Sequence, residues 1–200
     1  VYYPFSEVIL DNGRRLVSSD LVLDEKTGRY RIDFADFEKK IIENKVRLFL
    51  LCSPHNPVGR VWSREELQQL GRICRRHGVI VFSDEIHADF VWRGQHQVFA
   101  AADPDFAAFT ITAASPSKTF NIAGLQVSNI FIPDAALRQQ FRRAYNASGY
   151  SQLNAAGLIA AEAAYRDGGV WYDAVKAYLK DNIAYMREFI AARLPELRMI

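Results

Sequence analysis

The stretch 79-VIVFSDEIHADF-90 runs four apolar residues straight into Ser83, Asp84, Glu85 and His87, with Asp89 two further on. A strand wetted on one face alternates apolar and polar residues. An unbroken apolar run of this length instead predicts a strand covered on both faces, as in a parallel sheet flanked by helices. The runs 46-VRLFLLC-52, 108-AFTITAA-114 and 127-VSNIFIP-133 have the same character, and 19-SDLVLD-24 adds a further strand.

Helical patterns separate these runs. In 33-DFADFEKKIIE-43, Asp33 is a cap and Phe34, Phe37 and Ile41 form one stripe. In 63-SREELQQLGRICRRHG-78, Ser63 and Glu66 make a capping box, Leu67, Leu70 and Cys74 repeat at helical spacing, and Gly78 supplies the stop. From 134 onward the chain reads as mostly helical, with a break at 166-RDGG-169 and a long segment from Val170 to Arg193. Strands alternating with helices predict a layered α/β fold whose strands are covered by helices on both faces.

The 25 basic and 23 acidic residues leave a formal charge of only +2, too balanced for a nucleic-acid surface. The run 72-RICRRH-77 accordingly reads as the solvated face of a helix. No apolar run is long enough to span a bilayer, and no basic-then-apolar leader is present. Cys52 and Cys74 are the two cysteines; one disulfide between them stays open, but the expectation is two reduced thiols in a cytoplasmic protein. The chain starts on Val1, and 1-VYYPFSEVI-9 and 194-LPELRMI-200 read as interior sequence, so a fragment of a longer protein is expected.

Three strand-end loops carry chemistry. In 53-SPHNPVGR-60, Pro57 biases Asn56 toward extended backbone and Gly59 permits a tight turn, so the loop is either a plain connection or a mount for the Asn56 amide. Asp84, Glu85 and His87 admit three readings: a metal cluster, a capped loop with a satisfied histidine, or a cofactor site in which Asp84 holds a positive charge. In 112-TAASPSKTFNIAG-124, Lys118 sits among Ser115, Ser117, Thr119 and Asn121, short polar groups able to bind an anion or orient a ring. Lys118 is either a solvated lysine on a turn or, with its pKa lowered by desolvation or a neighbouring cation, a nucleophile whose natural product is a Schiff base. A Schiff-base lysine, a strand-end carboxylate and phosphate-sized donors together meet the needs of pyridoxal phosphate.

In this order, the elements SPHNPVGRVW, SDEIHADF and ASPSKTFNIAG resemble the fold-type I pyridoxal-phosphate enzymes of aminotransferase class I/II. They are most similar to the carbon–sulfur β-lyase branch, the cystathionine β-lyases of the MalY/PatB type, and 1-VYYPF-5 and 28-GRYRIDF-34 extend the likeness. The resemblance implies, over 1–175, the large domain of a pyridoxal-phosphate-dependent transferase-like fold, three α/β/α layers around a mixed, mostly parallel sheet, and over 176–200 a helix leading toward a smaller domain. It implies Lys118 as the cofactor lysine, Asp84 on the pyridine nitrogen, and Asn56 on the ring 3-oxygen. His87 falls near that same oxygen, where aminotransferases commonly have a tyrosine. Ser115 and Ser117 are implied as phosphate ligands, Ser115 foremost, and Tyr2 and Tyr3 as substrate-side residues at the entrance. The arginine that many aminotransferases carry eight residues after the lysine is replaced here by Gln126.

The implied activity is cleavage of L-cystathionine or a related cysteine S-conjugate to a thiol such as homocysteine, pyruvate and ammonia. The implied setting is a homodimer in amino-acid metabolism, in methionine biosynthesis. The alternatives are an aminotransferase built on the same residues and a non-catalytic regulatory or interaction domain on the same fold.

Overall fold

The computed structural model describes residues 2–150, 152–197 and 199. Helix α1 (Pro4–Asp11) is followed by a small antiparallel pair, β1 (Val22–Asp24) and β2 (Arg29–Arg31). The expected strand at 19–24 is therefore half of a hairpin outside the main sheet, and its partner lies in a stretch with no strand expectation. Helix α2 (Phe34–Asn44) then leads to β3 (Leu48–Cys52), α3 (Arg64–Arg76), β4 (Ile80–Asp84) and β5 (Thr110–Ala114). After the single turn α4 (Pro116–Thr119) come β6 (Asn129–Phe131), α5 (Ala135–Ala147), α6 (Ala155–Asp167) and α7 (Gly169–Arg193).

The main sheet has the order β3-β4-β5-β6, with the first three strands parallel and β6 antiparallel. This is the expected mixed, mostly parallel α/β sheet. Each parallel connection is a crossover, through α3 between β3 and β4 and through a longer segment with two short 3-10 turns (Phe99–Ala101 and Phe106–Phe109) between β4 and β5.

Helix starts follow the cap residues. The Asp33 side chain accepts from the backbone N–H of Ala35 and of Asp36, and Ser63 with Glu66 closes a complete capping box at the start of α3. Gly78, at φ 64°, turns the chain out of α3 into β4. Apolar stripes on α2 and α3 bury Phe37, Ile41, Leu67, Leu70, Ile73 and Cys74 against Leu51 and Val81. The Trp62 indole N–H donates 3.0 Å to the Cys52 carbonyl at the floor of this core.

The two sheet faces are not covered alike. Level residues Leu51, Val81, Ser83, Thr110 and Thr112 are buried, whereas Leu50, Ile80 and Phe82 on the other face are half-buried. Ile130 and Phe131 of β6 are exposed, so the continuous apolar run at 127–133 belongs to a short strand whose second neighbour is absent from the described residues. Among the described residues no helix is long and apolar enough to cross a membrane. Cys52 and Cys74 are both buried free thiols, and burial pushes the Cys74 thiol up to about 12.

Candidate active site

β3, β4 and β5 are parallel, so their carboxyl ends share one edge, the place where open α/β sheets take their ligands. The three chemistry-bearing loops leave from there. Cys52 pairs with Asp84, and Asp84 with Ala113. The ladder continues into the loops: the Ser53 N–H donates 2.9 Å to the Asp84 carbonyl, and the Glu85 N–H donates 2.8 Å to the Ala113 carbonyl. The three loop origins are thus held level.

Asn56 follows β3 in a tight turn closed by His55 N–H to the Arg60 carbonyl (2.7 Å) and Gly59 N–H to the His55 carbonyl (2.9 Å). Gly59 takes φ 65°, as its position in the turn requires. The Asn56 N–H donates 3.4 Å to Cys52 Sγ, while its side-chain amide is exposed and makes no hydrogen bond among the described residues. The backbone is anchored and the amide left available for a ligand.

Asp84 ends β4 on the less covered face. One carboxylate oxygen accepts from the Ile86 N–H at 3.1 Å, and no ion pair to Asp84 occurs among the described residues. Burial pushes this carboxyl up, opposed by the Ile86 hydrogen bond and by the positive fields of His87 and Lys118. Burial also pulls His87 down, with Lys118 adding to that and Asp84 opposing it. These mutual effects put Asp84, His87 and Lys118 in one electrostatic neighbourhood. A partly buried carboxylate lacking a close cation is suited to a ligand that brings an N⁺–H.

Glu85 points the other way, as alternation along an extended chain requires. It is buried and accepts from Ser83 Oγ (2.8 Å), from the Phe99 N–H (3.1 Å) and from the His96 ring at 2.6 Å. Asp84, Glu85 and His87 therefore do not converge on one centre, and no metal-sized cluster of acidic, histidine and cysteine side chains occurs among the described residues. The histidine paired in this region is His96, through Nε2 alone, eleven residues from its partner and without a local signal in the sequence.

Lys118 is exposed, on the single turn α4 after β5. Its turn is held by Phe120 N–H to the Pro116 carbonyl (2.9 Å) and Ile122 N–H to the Ser117 carbonyl (3.0 Å), and Asn121 takes φ 54° to bring the chain around. The buried Ser115 hydroxyl donates 2.6 Å to the Val127 carbonyl and accepts from the Ser117 N–H at 3.0 Å. Ser115 reaches an anion only by giving up Val127. The Ser117 hydroxyl makes no hydrogen bond among the described residues. Gln126, in place of the phosphate-clamping arginine, is an exposed residue at φ 54°.

Tyr2 and Tyr3 pair with each other, their ring centroids 4.9 Å apart, at the start of α1. Both are exposed, and no hydrogen bond or ring contact joins them to the strand-end groups among the described residues. Two contacts had no readable signal in the sequence. The Thr119 hydroxyl donates 2.6 Å to Asp89 Oδ2, and the Tyr172 hydroxyl donates 2.5 Å to the Asp89 carbonyl from a position 83 residues away.

Comparison with known proteins places this geometry. The model of the family described as aminotransferase class I and II matches residues 2–200. The chain is 46% identical to cystathionine beta-lyase PatB of Bacillus subtilis (strain 168), over 100% of this chain and 51% of the relative. It is 35% identical to protein MalY of Escherichia coli (strain K12), over 98% of this chain and 50% of the relative. The chain thus spans about half the length of the curated relatives it matches. Among solved structures, cystalysin from Treponema denticola, which contains a pyridoxal 5'-phosphate cofactor, superposes with a TM-score of 0.93 at 37% identity, covering 98% of this chain and 50% of that one. The PLP-bound C-S lyase from Staphylococcus hominis gives 0.88 at 39% identity, covering 98% and 49%.

Proposed function

Because the chain belongs to the aminotransferase class I and II family, we propose that the protein of which it forms the strand-end site is a pyridoxal-phosphate-dependent carbon–sulfur β-lyase. Its substrate is L-cystathionine or a related cysteine S-conjugate. The carrying observation is the level start, at the ends of three adjacent parallel strands, of the three loops that bear Asn56, Asp84 and Lys118. The β-lyase branch is supported by the relatives PatB and MalY and by the C-S lyase neighbour.

The residues present fit the cofactor. Lys118 would hold it by its ε-amine, and the Asp84 carboxylate would accept a hydrogen bond from the protonated pyridine nitrogen. That N⁺–H supplies the charge partner the half-buried carboxylate lacks. The free Asn56 amide donates to the ring oxygen, with His87, held toward its neutral form, beside the same region. Ser117 is the ready hydroxyl for the phosphate, and Ser115 joins it by releasing Val127. Tyr2 and Tyr3 stand on the substrate side.

Bound there, pyridoxal phosphate would supply an electron sink for the charge left at the substrate Cα. The Lys118 amine would be the positioned base for the substrate Cα proton. Loss of that proton lets the Cβ–S bond break, and with one water consumed the products are a thiol, pyruvate and ammonia.

On this reading residues 1–175 belong to the cofactor-binding large domain, and α7 carries the chain from 176 onward toward a smaller one. The two buried thiols and balanced charge support a cytoplasmic setting. A homodimer working in methionine biosynthesis is the accompanying proposal.

The test is to give the full-length protein L-cystathionine without any keto acid. Pyruvate and thiol are expected, and Lys118→Ala should lower their release at least a thousandfold. Turnover that requires an added keto acid would instead identify an aminotransferase, and undiminished pyruvate from Lys118→Ala would refute the role of the lysine.

A further inference from the structure

The strand ladder holds the loop origins level but does not reach Lys118. The last β4–β5 pair is Asp84 with Ala113, and Lys118 lies five residues beyond it on a single helical turn. Something else must fix the lysine relative to the carboxylate.

One side-chain bond joins the two loops among the described residues. The buried Thr119, adjacent to Lys118, donates its hydroxyl 2.6 Å to Asp89 Oδ2. Asp89 lies on the loop that continues from Asp84, and its carbonyl receives the Tyr172 hydroxyl of α7 at 2.5 Å. Lys176 donates 3.0 Å to that same Tyr172 oxygen. Three segments therefore meet at Asp89: the loop of the carboxylate, the turn of the lysine and the first turns of the long helix.

Resting on the cofactor reading above, we propose that Asp89 and Thr119 are positioning residues: their hydrogen bond sets where Lys118 stands relative to Asp84. Thr119 is well suited to this task, because its backbone continues the Lys118 turn and its buried side chain has few alternative orientations. Donation to a carboxylate is stronger than to a neutral acceptor, which suits a tether holding a reactive group against thermal motion. Asp89 itself is exposed, so its retention of this contact does not serve core packing.

The test uses the full-length protein loaded with pyridoxal phosphate, in three variants. Thr119→Val keeps the shape and removes the hydroxyl, Thr119→Ser keeps the hydroxyl, and Asp89→Asn keeps an acceptor without its charge. Because a displacement of about an ångström in a reacting group costs on the order of a hundredfold, Thr119→Val should lower kcat roughly ten- to a hundredfold with KM within about twofold. It should also move the pH midpoint of the absorption band of the cofactor bound to Lys118. Thr119→Ser should restore both, and Asp89→Asn should fall between.

Wild-type kcat and midpoint in Thr119→Val would overturn the proposal, as would a Thr119→Ser no better than Thr119→Val. Should Thr119→Val fail to fold, Asp89→Asn decides alone, and wild-type values in it are the overturning result. Borohydride trapping of the wild type separates the two layers. No phosphopyridoxyl group on Lys118 removes the cofactor reading and the tether with it, whereas a labelled wild type with silent variants removes the tether only.

Discussion

His55 sits next to Asn56, and its surroundings make this part of the site sensitive to acid. Its ring stands edge-on to Trp62 with centroids 5.9 Å apart, and its Nδ1 is buried with no hydrogen-bond partner in the described structure. Burial pulls its pKa from 6.5 down to about 4. Between those pH values the unfolded chain binds more protons than the folded one, so this group's contribution to stability is whole above pH 6.5 and is lost as pH falls toward 4. His55→Phe keeps an aromatic ring against Trp62 and removes the titration. Urea midpoints measured between pH 7 and pH 5 should fall less steeply for the variant than for the wild type. Equal slopes would show that His55 is not held neutral by its burial.

Helix α3 owes its place to a residue without a side chain. A Cβ at Gly71 would lie 2.1 Å from two ring carbons of Phe106, a fully buried residue stacked on Phe99 at 5.1 Å. Alanine is worth about 1 kcal/mol over glycine in a helix interior. The overlap outweighs that gain, because the ring is enclosed on all sides and overpacking costs roughly 1–3 kcal/mol. Gly71→Ala should therefore lower unfolding stability in urea, and a stabilised variant would show that Phe106 has room to move. A helix-propensity reading of 63–78 sees Gly71 only as a weak spot, since the ring that explains it comes from 35 residues later. The same contrast runs through the fold. Ser63, Glu66, Gly78 and the apolar stripes of α2 and α3 act over one or two turns, and all were legible. The β1–β2 hairpin, the division of the helical stretch after 134 into α5 and α6 and the exposure of β6 depend on which neighbours are present, and local patterns do not encode neighbours. At the candidate site, the loops that bear Asn56, Asp84 and Lys118 were legible because each leaves the end of an apolar strand. The Glu85–His96 pair and the Asp89 junction were not, because their partners are brought together only by the fold.

Across the whole molecule, packing is concentrated at one end of the chain order. The α2, α3 and β3–β5 region supplies the contiguous core, while α7, 25 residues long, has no buried residue. Trp171, Tyr178 and Tyr185 recur along α7 at seven-residue spacing and are 46%, 67% and 68% exposed. Tyr172, near its start, is tied to Asp89, and Trp171 stacks on Phe120 at 5.7 Å. Helices in proteins draw most of their stability from tertiary packing, so the attached first turns of α7 and its unpacked remainder should differ in how often they open. In this 200-residue chain, amide hydrogen exchange should be slowest in β4 and α3. It should be intermediate around 170–176, and at least about a hundredfold faster than in β4 from Tyr178 to Arg193. The tether then lies at the boundary between the rigid and mobile parts, where motion of α7 acts on Asp89 before it reaches Lys118. Uniform protection along α7 would refute this gradient and leave Asp89 as a link within one rigid body.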